Sequence, residues 1–114
     1  MTKKQIMTKS TIEEVVSQIE EAIDKTIQNN SYIIINKKSL QGSLNYQMYP
    51  ISGETYLDGT ELIIMGEDDN SVIVDISKVL MYNVTEEEDT GSVVFEFIFG
   101  VVEKLTISVF VGEM

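Results

Sequence analysis

Residues 10–36 read STIEEVVSQIEEAIDKTIQNNSYIIIN, and the change of rhythm inside this stretch decides the fold. Up to Ile27, the apolar residues Ile12, Val15, Val16, Ile19, Ala22, Ile23 and Ile27 recur at the spacing that places them on one face of a helix. Ser10 with Glu13 and Thr11 with Glu14 are capping-box pairs, and both glutamates stand in the first turn, where the helix dipole favours negative charge. Gln28, Asn29 and Asn30 end the helix, because asparagine tolerates the left-handed conformation that closes one. Tyr32–Asn36 then presents consecutive β-branched side chains, the mark of a buried strand.

Working outward, the C-terminal remainder keeps a period of two and is punctuated by glycines at 42, 53, 59, 66, 91, 100 and 112. Asp58-Gly59, between Thr55–Leu57 and Thr60–Met65, predicts a two-residue hairpin turn. Gly66–Asn70 turns the chain into Val72–Ile76, Val79–Thr85 is a further strand, and Glu86–Gly91 is a solvated turn. Val93–Phe99 and Leu105–Val111 form the last hairpin. Pro50 keeps the Tyr46–Ile51 stretch out of any central strand and assigns it to an edge or loop. The fold class expected is α+β, one N-terminal amphipathic helix followed by an antiparallel rolled sheet or small barrel of roughly six to eight strands. Residues 1–9, polar and aperiodic, are expected to form a flexible lead into a single domain over 10–114.

Composition narrows the chemistry. The chain has 114 residues, 19 acidic against 8 basic, for a net charge of −11, and contains no Cys, His or Trp. All the basic residues are lysines. Without Cys or His there is no disulfide framework, no ordinary zinc site and no Ser-His-Asp or Cys-His constellation. Without Arg there is no bidentate fork for phosphate. The glycine motifs that cradle nucleotides are missing as well. A non-catalytic protein with no cofactor and no metal is therefore expected. The basic N-terminus is followed by no apolar segment of signal-peptide length and no run spans a membrane, so the expected location is cytoplasmic.

The charge is unevenly placed. Residues 1–38 hold 6 Lys against 5 acids, whereas residues 39–114 hold 2 Lys against 14 acids. An anionic sheet repels phosphate backbones and anionic lipid, which argues against direct nucleic-acid or membrane binding. It suits a basic protein surface. The densest acidic runs are Glu67, Asp68 and Asp69, and Glu86, Glu87, Glu88 and Asp89. Both also read as solvated turns, and the first lacks the ligand spacing of a calcium loop. Tyr46, Met48, Tyr49 and Ile51 form an aromatic, methionine-containing stretch of the kind enriched at interfaces. Phe95, Phe97 and Phe99 share one strand face, which is covered by the helix or else forms an oligomer face. Tyr32, Tyr56 and Tyr82 are expected to bury their rings and leave their hydroxyls wet.

These residues predict a small acidic protein-interaction module, an inhibitor or adaptor of the sort carried by phages and mobile elements. It would dock on a basic protein surface and imitate nucleic-acid phosphates, with Tyr46–Ile51 and the acidic runs as the contact residues. Two alternatives belong to other classes. One is a structural or assembly protein that forms a homodimer or larger through Phe95, Phe97 and Phe99; the other is a roll that binds a small ligand between helix and sheet.

Overall fold

The computed structural model describes residues 2–6, 9–87 and 91–110. It is an α+β fold with one amphipathic helix and antiparallel strands in two sheets. The elements are β1 (Thr2–Ile6), α1 (Lys9–Gln28), β2 (Ile33–Ser39), β3 (Gly42–Met48), β4 (Pro50–Asp58), β5 (Glu61–Gly66), β6 (Ser71–Asp75), β7 (Met81–Glu87), β8 (Ser92–Ile98) and β9 (Lys104–Phe110). Strands β1-β7-β8-β9-β2-β3 form the larger sheet in that order, and β4-β5-β6 the smaller. The two sheets roll around a common core without closing into a barrel.

From Val15 to Ile23 the helix stripe read from the sequence is buried, and Ile27 packs half-buried against the core. Val15, Val16, Ile19, Ala22 and Ile23 join Ile33, Ile35, Phe95, Phe97, Ile107 and Val109 of the larger sheet and Leu62, Ile64, Val72 and Val74 of the smaller. Local chemistry ends α1 as expected. Asn30 adopts φ 53°, Ser31 N–H donates to Thr26 O at 2.9 Å, and Asn30 N–H donates to Ile27 O at 3.1 Å. This is the paired hydrogen bonding of a Schellman motif. The buried Thr26 hydroxyl donates to Phe110 O at 3.0 Å, which ties the helix to the end of β9.

Three details depart from the sequence reading. Thr2–Ile6 is a strand, paired from Thr2↔Thr85 to Ile6↔Met81, where residues 1–9 were expected to carry no regular structure. The open edge of β7 supplies the backbone partners that periodicity alone does not reveal. Gly42–Met48 is also a strand; its residues are largely exposed, so burial leaves no alternating pattern to read. The β4–β5 turn lies one residue later than expected, on Gly59-Thr60, with Asp58 paired to Glu61 and Gly59 at φ 64°. Glycine at the first turn position is the II′ arrangement. A short 3-10 helix, Ile76–Lys78, separates the sheets' later strands and is capped by Asp75. The Ser77 hydroxyl, 2.6 Å from its carboxylate, is the main cause holding the Asp75 pKa below the usual range.

Candidate functional site

Register decides which candidate residues meet. Glu87 pairs with Ser92, Ser92 with Phe110, Val109 with Ile33, and Ile33 with Met48. The ends of β7, β9 and β3 and the starts of β8 and β2 thus lie along one rim of the larger sheet. Tyr49 follows β3 directly, and its carbonyl accepts from Glu67 N–H at 2.9 Å, which draws the β5–β6 turn to the same rim. At about 4.8 Å per strand, the line from β7 to β3 is about 19 Å long.

Aromatic rings fill the part of this rim nearer β3. Tyr49 and Tyr32 have centroids 6.0 Å apart, and Tyr32 and Phe110 are 5.2 Å apart, both tilted. Gln47 Nε2 donates to the Tyr49 hydroxyl at 3.1 Å and steadies the outer ring. Tyr49 is 45% exposed and Ile51 is 40% exposed, and both line a shallow recess with Ile27 and Glu67. Glu67, Asp68 and Asp69 lie beyond one end of the aromatic line, and exposed Glu86 and Glu87 beyond the other. Glu88 and Asp89 lie outside the described residues.

The Glu67–Asn70 turn is built tightly. Gly66 N–H donates to Asn70 O at 2.8 Å and Asn70 N–H to Glu67 O at 3.2 Å. Asp68 and Asp69 both take left-handed φ, 60° and 61°. That geometry is easiest for glycine or asparagine and costs an aspartate backbone energy. Among the described residues, no group of three or more acidic side chains is arranged to hold a metal ion.

Several expected site residues are elsewhere. Met48 is fully buried in the core. Tyr46 turns inward: its hydroxyl donates to Ser71 O at 3.1 Å, and burial pushes its pKa up. The stretch therefore divides by strand alternation, Tyr46 and Met48 inward, Tyr49 and Ile51 outward. Phe95 and Phe97 are buried among the helix and sheet residues of the core, and Phe99 packs half-buried against it. Phe95 and Phe97 thus have almost no surface left exposed on the single chain, and only Phe99 retains some. The other face of β8 carries Glu96, which accepts from Asn83 Nδ2 and pairs with Lys104 Nζ at 3.0 Å. Tyr82 is also a correction: the whole side chain is buried, and its hydroxyl has no hydrogen-bond partner among the described residues.

The sequence reading missed Tyr32 and Phe110 as site residues. They are 78 positions apart, and only the antiparallel return of β9 beside β2 brings them together. A second concavity, about 320 Å³, lies between α1 and the β7–β8 end, with Gln18, Glu21, Lys25, Glu86 and Glu87 among its lining residues. It occupies the place foreseen for a ligand between helix and sheet. Among the described residues no helix is long and apolar enough to cross a membrane.

No family model and no curated protein sequence matches the chain. Among solved structures it is similar to ChuX, with a TM-score of 0.54 at 8% identity over 94% of this chain. It is also similar to a protein from Erwinia carotovora, with a TM-score of 0.47 at 7% identity over 93% of this chain. The chain spans 61% of the length of each. At such identity the likeness to ChuX is one of fold alone.

Proposed function

We propose that this protein is a non-catalytic interaction module, an inhibitor or adaptor, that docks its acidic, aromatic rim on a basic protein surface. The observation that carries this reading is the convergence of Glu67, Asp68, Asp69, Glu86 and Glu87 on the two sides of the Tyr49–Tyr32–Phe110 line. Aromatic rings with a wet edge supply rigid contact area, and flanking carboxylates steer a cationic partner into register. Asp68 and Asp69 support it independently. They keep carboxylates at two left-handed positions where glycine would relieve the backbone, a cost more readily understood if the charge has a use. A phosphate-binding groove on a nucleic-acid-processing protein is the basic surface that such spaced carboxylates would fit.

The test is a tagged pull-down from host lysate at low and high salt, with eluate masses determined, followed by titration of the partner so identified. The expected partner is basic and is released by salt. Replacing Asp68 and Asp69 together by glycine should weaken its binding about tenfold at low salt while leaving the fold at least as stable. Tyr49→Ala should weaken it at both salt concentrations. Equal affinity of the wild type and the double variant, or recovery of this chain alone as a dimer or larger, would overturn the reading in favour of assembly.

A further inference from the structure

The outer strand edges are not equally protected against further pairing. β1 carries Lys3 and Lys4, β4 opens on Pro50 and loses register between Pro50 and Thr55, and β6 is 5 residues long and ends on Asp75. Lysine, proline, irregularity and shortness are the devices that keep an edge from recruiting another strand. β3, GSLNYQM, has none of them. Its pairing with β2 runs unbroken from Ile33↔Met48 to Ser39↔Gly42, and Gly42–Asn45 are exposed. Ser39 and Gly42 close a two-residue turn as a hydrogen-bonded pair. Alternation then directs the backbone N–H and C=O groups of Ser43, Asn45 and Gln47 away from β2, toward the free edge.

Charge beside this edge is opposite in sign to the rest of the molecule. Lys38 of β2 is the Cα partner of both Ser43 and Lys104, and Lys37 is its neighbour. Glu96 pairs with Lys104 at 3.0 Å and Glu103 lines the same groove, so Lys37, Lys38 and Lys104 outnumber the acids beside them by one. Beneath Lys37, a groove of about 430 Å³ is lined by Leu44, Ile73, Phe99 and Leu105. Leu44 and Ile73 are 56% and 50% exposed.

We propose that the free edge of β3 is a docking site for an extended acidic peptide of another protein, which adds to the six-stranded sheet as a further strand. Its backbone would pair with Ser43, Asn45 and Gln47, its apolar side chains would enter the groove at Leu44 and Ile73, and its carboxylates, on the opposite face, would meet Lys38. Charge selects this occupant over a second copy. Pairing β3 with β3 would bring two sets of these lysines and two chains of net charge −11 together. The turn of the β2–β3 hairpin and its lysines lie at the far end of both strands from Tyr49, while the Gln47 end of the edge adjoins the aromatic rim.

The probe is a capped peptide of alternating valine and glutamate, as long as the 7 residues of β3, with a valine–lysine peptide as its counterpart. Titrated into the full chain, the glutamate peptide should bind saturably and slow hydrogen exchange at the Ser43, Asn45 and Gln47 amides. Lys38→Glu should weaken it about tenfold, and this exposed position leaves the core untouched. The Asp68 and Asp69 glycine variant should bind it unchanged. Equal binding of the lysine peptide, or no protection at the three amides, would overturn the proposal. So would their protection without peptide, together with a doubled mass.

Discussion

Tyr82 carries one of several buried side-chain polar atoms that lack a hydrogen-bond partner among the described residues. Its ring is fully buried in β7, its hydroxyl has no hydrogen-bond partner among the described residues, and burial first, then the negative charge of Glu14, pushes its pKa up. A buried hydroxyl left without a partner forfeits its hydration with nothing in exchange. Tyr82→Phe removes that oxygen and keeps the ring, so stability at neutral pH should stay level or rise by about 1 kcal/mol. The pH dependence has a definite sign. Because the folded-state pKa is raised, the neutral phenol's contribution is complete below the ordinary tyrosine value and is lost as pH rises through the folded one. Urea melts across the alkaline range should therefore show wild type losing stability more steeply than Tyr82→Phe. A loss of stability in the variant at neutral pH would mean that the hydroxyl is bonded after all.

At the scale of elements, the two sheets are joined where β3 passes into β4. A Cβ on Gly66, at the end of β5, would overlap Met48 Cγ and Sδ and come within 3.1 Å of Tyr49 O. Met48 is fully buried, so it has little room to move aside. Gly66→Ala should cost about 1–3 kcal/mol, the usual penalty of overpacking. In a Met48→Ala background the same change should cost less, and a thermal-denaturation cycle over the four proteins measures the difference. Additive effects would show that the strain lies in the backbone at Tyr49 rather than in the side chain of Met48.

These same elements explain what could be read from the sequence. The helix was legible to its last turn, because its stripe, its asparagine cap and its Schellman bonds are all local. β5 through β9 were legible to within a few residues, since each alternates against a core. β3 was not, because over Gly42–Asn45 this edge strand is exposed on both faces and is held by its neighbour rather than by burial. The rim was only half legible: Tyr49, Ile51 and the acids stood out by type, but Tyr32 and Phe110 meet through register, which period two does not fix.

The whole molecule is small and strongly charged at once. Its radius of gyration is 13.3 Å and its net charge is −11, so every carboxylate lies close to many others. At an ionic strength of about 0.01 M the screening length of about 30 Å exceeds the molecule's radius, and the acids repel one another across its full width. At about 0.15 M it falls to about 8 Å, and that repulsion is confined to near neighbours. The close pairs that salt would weaken, Lys25–Glu21 at 3.4 Å and Lys104–Glu96 at 3.0 Å, carry little by comparison, since partly exposed pairs contribute at most about 1 kcal/mol each. Added sodium chloride should therefore stabilise the fold, with a rise of about 4 °C in Tm for each kcal/mol of repulsion removed. Calorimetry at the two ionic strengths checks this, and a Tm that falls with salt would show that ion pairs outweigh the net charge. The sign matters for the function proposed above. Salt is expected to release a basic partner from the acidic rim, and the same salt tightens the fold, so a complex that comes apart in salt while Tm rises has lost its electrostatic contact and not its structure.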